Sequence, residues 1–401
     1  MIDRKLIESI ILKHYSYLKS IDFKGWDVLD GLNSQLFQKL PFSQNKYFRL
    51  FWIQIFRRSP INLRNLTLVP QEYNPKALAL FISGLLNLYH HFKEESYFEL
   101  ALDLYEKLIQ LKSQNYSELC WGYNFDWQAR AFNVPKFKPN MVCSVFAGQA
   151  LLDLFESTQE SHYLREAHNI AEFILNHLVL IKESNQICFG YIPEETALIH
   201  NVNLLGAAYL SRLFGLTANE KYRLLAEKSI RFSVSHQRAD GAWAYGEQNH
   251  HGWVDNFHTG YNLLSIYHYH KFCQDDQFEK SLIDGMSFHL KNHYTKNQLP
   301  KYSDVKLYPL DVHCFAQAII TILVLKKYIP EFEMKIELIL KNVLHMLWDE
   351  TRNYFWYKKS LFFTSKIPYI RWSQAWMFYS LSNLLIGWNG ETNSIIRLSY
   401  R

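Results

Sequence analysis

Six apolar segments recur along this chain at nearly even spacing. They begin near residues 75, 140, 200, 254, 309 and 370, at intervals of 54 to 65 residues. Each is apolar almost all round at helical period: "PKALALFISGLLNLYHHF" (75–92), "NMVCSVFAGQALLDLFE" (140–156), "HNVNLLGAAYLSRLFG" (200–215), "VDNFHTGYNLLSIYHYH" (254–270), "PLDVHCFAQAIITILVLKK" (309–327) and "IRWSQAWMFYSLSNLLI" (370–386). A helix without a polar face has to be buried. Between these segments lie helices with charge on one face, such as "SYFELALDLYEKLIQLK" (96–112) and "HYLREAHNIAEFILNHLV" (162–179), which have one wet and one packed side. A fixed period of this size marks a repeat architecture. The unit is an αα-hairpin of one buried and one amphipathic helix.

Six such hairpins predict an all-α fold, an (α/α)6 toroid with apolar helices inside and amphipathic helices outside. An open solenoid is the alternative. The ring is preferred because the last apolar segment is as apolar and aromatic as the middle ones. No Pro-, Gly- or Ser-rich linker breaks the pattern. The expectation is one structural domain, with a toroid over 73–401 and an N-terminal helical elaboration over 1–72 packed on it. The first outer helix is expected within 2–20 or 43–57.

Composition excludes several classes. Net charge is +5, with Lys and Arg scattered rather than gathered into a nucleic-acid footprint. Five Cys, far apart and without a CxxC pair, suit a reducing compartment. The N-terminus lacks the apolar stretch of about 7–15 residues of a secretory signal. The longest apolar run, "AIITILVL" (318–325), is far short of the roughly 20 residues of a membrane span. The reading is a cytoplasmic protein with no membrane span and no nucleic-acid partner; oligomeric state is left open. Aromatic residues are abundant at 16%, more than a core of this size needs, so some are expected to line a cleft.

In such a ring every inner helix begins on the same face. The segments that meet there are "CWGYNFDWQARAFNVPKFKPN" (120–140), "FGYIPEETALIHN" (189–201), "QRADGAWAYGEQNHHGWVDNFHTG" (237–260), "YSDVKLYPLDVHCFAQ" (302–317) and "YFWYKKSLFFTSKIPYIRWSQAW" (354–376). Each mixes Trp or Tyr with acidic, amide, His or Arg side chains. The opposite connections, such as "FGLTANEK", are short and plain. The asymmetry places a ligand site on the decorated face. Helix N-termini there favour an anionic group.

Candidate acid/base groups are Asp126, Asp255, His258 and Asp311. Asp126 is flanked by Trp121, Tyr123 and Trp127, a stacking platform with a carboxyl beside it. Asp255 is a good helix cap, but capping leaves Asn256, His258 and Thr259 unexplained. Asp311, His313 and Gln317 recur at the next inner start, and His200 and Asn201 at an earlier one. Trp243 and Tyr245 follow an Asp-Gly turn at 240–241. Arg130 and Arg371 offer forks for a carboxylate or phosphate, and Trp372, Gln374 and Trp376 accompany Arg371. No spacing is diagnostic of a metal site, and neither a metal nor a cofactor is expected.

The motifs "WGYNFDWQAR", "QRADGAWAYG", "WVDNFHTGYNLLSI" and "RWSQAWMFYSLS" resemble the six-hairpin glycosidase-like superfamily over about residues 70–390. Within it the chain is similar to bacterial proteins of surface-polysaccharide and O-antigen biosynthesis loci. "VDNFHTGYNLL" and "RWSQAW" also resemble inner-helix starts of unsaturated glucuronyl hydrolases. That likeness implies acid chemistry at Asp255. "DGAWAYG" resembles the repeat motif of terpene cyclases, but no DxDD or DDxxD run is present. The resemblance implies a hydrolase, lyase or epimerase acting on a glycan or on an activated or lipid-linked sugar, acidic sugars included. The alternatives are a non-catalytic glycan-binding or assembly protein and a terpene-cyclase-like toroid.

Overall fold

The computed structural model describes residues 4–128 and 133–387. Fourteen α-helices occur among them: α1 (Arg4–Ser20), α2 (Gln35–Gln38), α3 (Lys46–Arg58), α4 (Pro75–Phe92), α5 (Glu95–Gln110), α6 (Met141–Thr158), α7 (Ser161–His177), α8 (His200–Thr217), α9 (Glu220–Ser235), α10 (Asn256–Cys273), α11 (Glu279–Asn292), α12 (Val312–Val324), α13 (Phe332–Leu347) and α14 (Trp376–Gly387). Six of them, α4, α6, α8, α10, α12 and α14, form an inner ring, each packed on the next and α14 packed back on α4. This is the expected (α/α)6 toroid. Its core runs continuously through all six inner helices.

The outer partner of α14 is α1, so the N-terminal helix closes the ring. His14 on α1 packs on Phe378 of α14, and Tyr15 packs on Tyr97 of α5. The elaboration is therefore the stretch between α1 and α4, which carries α2 and α3.

Local sequence explains the sharp hairpins. Four inner helices end on a left-handed residue, at Lys93, Gln159, Ala218 and Gln274. Such a residue satisfies a terminal carbonyl and reverses the chain. The outer helix then starts within two residues at 93–94, 159–160 and 218–219. Asn74, Asn140, Asp255 and Asp311 cap the starts of α4, α6, α10 and α12 by accepting backbone N–H bonds. The long connections all run from an outer helix to the next inner one. They carry the short two- and three-stranded sheets and gather at the N-terminal mouth of the ring.

Gly241 makes one of these connections possible. It sits at φ +91, and a Cβ there would lie 2.3 Å from the Asp284 carbonyl oxygen. Gly241→Ala is expected to cost about 2 kcal/mol or more in urea denaturation, from strain plus backbone overlap. Gly252→Ala is the control, because nothing lies within 4 Å of its Cβ position.

Candidate functional site

The mouth of the toroid is a cleft of about 1290 Å³ including its open rim. Its walls are aromatic: Tyr191 touches Tyr123 and Trp127, and Tyr245, Trp253, Phe257, Tyr302 and Trp372 also line it. Tyr245 and Trp253 stack at 4.4 Å between centroids. Such faces suit the apolar side of a sugar ring.

Asp255 is the one carboxylate among the cleft-lining residues described. It ends the 236–255 connection and caps α10, its Oδ1 accepting from the His258 backbone N–H at 2.9 Å. Its Oδ2 faces His258 Nδ1 at 2.6 Å and also accepts from Trp253 Nε1 at 3.2 Å. The cap fixes the residue three positions on, so capping and imidazole orientation come from one side chain. Burial alone would push the Asp255 carboxyl up. The His258 imidazole, by charge and hydrogen bonding, with His293 beyond it, holds the carboxyl below its ordinary range. Asp255 thus stays ionised and fixes His258 through Nδ1. His258 Nε2 has no hydrogen-bond partner among the described residues, and the side chain is 23% exposed to the cleft.

At the floor lies a residue the sequence reading passed over. Lys76 is in the first turn of α4, 3% exposed. Its Nζ sits 4.2 Å from the Phe146 ring centroid, 5.0 Å from Trp376 and 5.5 Å from Tyr261. It has no ion pair or hydrogen bond among the described residues. Burial, with Arg371 nearby, pulls its pKa down to about 7. Tyr261 neighbours both groups, its ring centroid 5.5 Å from Lys76 Nζ and 6.1 Å from the His258 ring centroid. The signal was present in the sequence. Lys76 stands two residues after the Asn74 cap, as His313 stands two after Asp311.

Several expected residues do line the cleft: Tyr123, Trp127, Asn201, Tyr245, Asp255, His258, His313, Arg371 and Trp372. Asn201 is buried with its Oδ1 unpartnered, free for a ligand hydroxyl. His313 receives the Tyr261 hydroxyl at Nε2 (2.9 Å). Burial, with Lys76 and Arg371, keeps the ring far below its usual pKa and neutral. Arg371 and Trp372 ride a π-helical turn, Ile370–Ala375, that precedes α14. The Arg371 fork is already filled: Nε and Nη2 donate to the two oxygens of Asp27 at 2.7 Å each. It shapes the wall instead of offering both prongs to a ligand.

Of the described residues, the remaining expected ones are not among those that line the cleft. Trp121 is in the core, its Nε1 donating to the Leu108 carbonyl. Asp126 lies outside the lining, accepting from the Lys136 backbone N–H at 2.8 Å and facing Arg49 at 3.4 Å. His200 is tied to Glu247 at 2.6 Å and Ser233 at 3.2 Å. Trp243 is a buried wedge bonded to the Ser233 carbonyl. Asn256 is held behind the wall by the His293 carbonyl; Thr259 bonds back to the Asp255 carbonyl and, with Trp243, lines a small pocket whose other walls include Asp255 and His258. Asp311 is buried behind Trp372, which donates to it at 2.9 Å; burial pushes its carboxyl up to about 6. Gln374 staples His14 to the backbone of Phe355. Gln317 and Trp376 line a separate apolar cavity below the cleft floor, on the axis of the ring. Arg130 lies outside the described residues. Among the described residues no group of three or more His, Cys, Asp or Glu is arranged to hold a metal.

No protein-family model matches the chain, and no curated protein matches it. Solved structures do. The chain is similar to a possible member of the GH105 family from Salmonella enterica serovar Paratyphi A (12% identity, 97% of this chain and 96% of that one, TM-score 0.62). It is also similar to cellobiose 2-epimerase from Bacillus thermoamylovorans (14% identity, 78% and 89% covered, TM-score 0.61). A third similar structure is a D-mannose isomerase (11% identity, 78% and 87% covered, TM-score 0.60). At these identities the likeness establishes the shared toroid, on which different sugar chemistries are built.

Proposed function

We propose that this protein is a carbohydrate-active enzyme that transfers a proton at the carbon beside a sugar carbonyl, as epimerases and aldose–ketose isomerases do. The observation that carries this reading is the make-up of the cleft. Its one carboxylate among the described residues, Asp255, is committed to an imidazole, and that imidazole, His258, presents an unpartnered Nε2 to the cleft. Glycoside hydrolysis ordinarily uses two carboxyl groups facing the scissile bond. Of the other buried acids near the mouth, Asp311 stands behind Trp372 and Asp27 is held by Arg371.

In this account His258 Nε2 takes the proton from the carbon next to the carbonyl. The electron pair left behind moves onto the carbonyl oxygen, giving an enediolate. The Lys76 ammonium, itself buried among three aromatic rings, stabilises the charge on that oxygen. Proton return to the same carbon on its opposite face, after the enediolate has turned over beside the His258 imidazolium, gives the epimer; return to the former carbonyl carbon, with the neighbouring hydroxyl proton passing to the former carbonyl oxygen, gives the ketose. Asn201 and the aromatic walls orient the sugar. A role in bacterial surface-polysaccharide or O-antigen assembly, as the sequence resemblance implies, fits such a reaction through its sugar precursors.

The test is product analysis on a panel of reducing mono- and disaccharides, uronic acids included. The expected result is a product of unchanged mass and altered retention, an epimer or ketose. A released monosaccharide or a new unsaturated product assigns hydrolase or lyase chemistry and overturns the proposal.

A further inference from the structure

We propose that the surface built by residues 31–71 and the neighbouring 358–366 hairpin docks this protein on an anionic phospholipid membrane. From Gly31 to Gln71 the chain has six basic residues and no Asp or Glu; Arg49 and Arg64 are buried against Asp126 and Asp30, and Lys39, Lys46, Arg57 and Arg58 stand at the surface. Nowhere else does so long a stretch of this nearly balanced chain lack an acid.

The same stretch exposes large apolar side chains that folding does not use. α3 buries Arg49, Ile53 and Phe56 inward. Tyr47 and Phe51, four residues apart, share its outer side with Arg58. Tyr47 is 76% exposed and Phe51 60%; Phe42, Ile61 and Leu66 are similarly bare. In the hairpin, Phe362 is 91% exposed between Lys359 and Lys366, both exposed themselves.

The two segments form one surface. Tyr357, Ile367 and Tyr369, at the base of the hairpin, pack with Phe56 and Val69 of the elaboration in one apolar cluster. Lys358 also lies within the electrostatic reach of Arg57 and Arg58. Arg57 and Leu29 line the cleft as well, so this surface adjoins its mouth.

Aromatic and aliphatic side chains mixed with Lys and Arg, and free of acids, are the chemistry of the bilayer interface. Apolar groups enter the acyl boundary while cations meet anionic headgroups. Two other occupants fit less well. A glycan would use the aromatic faces but not Ile61 or Leu66. A second copy of the chain would bring the same positive charge against itself. Among the described residues no helix is long and apolar enough to cross a membrane, so contact would be peripheral. The inference stands apart from the reaction proposed above.

The experiment is vesicle flotation of the full chain with phosphatidylcholine alone and with phosphatidylcholine–phosphatidylglycerol mixtures. Wild type is expected to float with the anionic vesicles at least about tenfold more than with the neutral ones, and to lose that preference in high salt. A Phe42→Ser/Phe51→Ser/Phe362→Ser variant should lose binding about tenfold or more at unchanged circular dichroism. Lys39→Glu/Arg58→Glu should lose the anionic preference. Sedimentation and acidic-polysaccharide pull-down run alongside. Three results overturn the proposal: no flotation with anionic vesicles, equal flotation by the triple variant, or self-association or polysaccharide binding through these residues without vesicle binding.

Discussion

Replacing His258 by Gln is expected to lower turnover about 100- to 10,000-fold while the protein stays folded. The side chain is the proton-transfer group of the proposed reaction, and nothing in the core depends on it. The Asp255 cap on α10 is made to the backbone N–H of residue 258, which the substitution keeps. The loss should fall on kcat, with KM little changed, because binding is carried by the aromatic walls and Asn201. Steady-state kinetics with thermal denaturation in parallel separates the two. A variant with full kcat would remove His258 from the chemistry.

Lys76→Met is expected to move stability and activity in opposite directions. A buried ammonium whose pKa falls from 10.5 to about 7 costs the folded state at neutral pH, because the unfolded chain holds the proton more tightly. Between those two values the unfolded state binds more protons, so wild-type stability rises with pH across that window. Met removes the burden. At pH 7 the variant should be more stable by roughly 2–4 kcal/mol, the three surrounding rings returning part of the wild-type cost. Its advantage should fade as pH rises toward 10.5. Turnover should fall about 100-fold or more, because the developing oxyanion loses its cation. The same logic makes wild-type activity decline as pH rises through about 7, where Lys76 gives up its proton. Urea denaturation and kcat measured across that range check both signs. A Met variant that is less stable and fully active would assign Lys76 to packing.

The ring was legible because each inner helix declares itself locally. An apolar helix has no other place to go, and the period of the starts, with Asn or Asp caps at four of them, fixes which ends meet. The site was only half legible, for the same reason. A repeat says which face is decorated, not which side chains turn inward. At the α10 start, Asp255 and His258 face the cleft, while Asn256 points to the His293 carbonyl behind it. "WGYNFDWQAR" contributes Tyr123 and Trp127 to the wall, but its Asp126 is taken up by Arg49 and Lys136. Arg371 looked free because its partner Asp27 lies 344 residues away in sequence, in the elaboration. Arg64 is likewise locked between Asp30 and Tyr369, the latter 305 residues distant. Such pairings are invisible to periodicity. Lys76 was missed because an apolar run reads as core, and one cation within it reads as an exception to core rather than as a reason for the run.

The most direct test of the proton-transfer account is solvent exchange at a sugar carbon. A reducing sugar is incubated with the protein in heavy water, and the proton signal beside the carbonyl carbon is followed by magnetic resonance. The account predicts enzyme-dependent loss of that signal for wild type, much slower loss for His258→Gln, and an intermediate rate for Asp255→Asn, whose imidazole loses its fixed orientation. Conversion of the sugar without any deuterium entering that position, or equal exchange by His258→Gln, would contradict it.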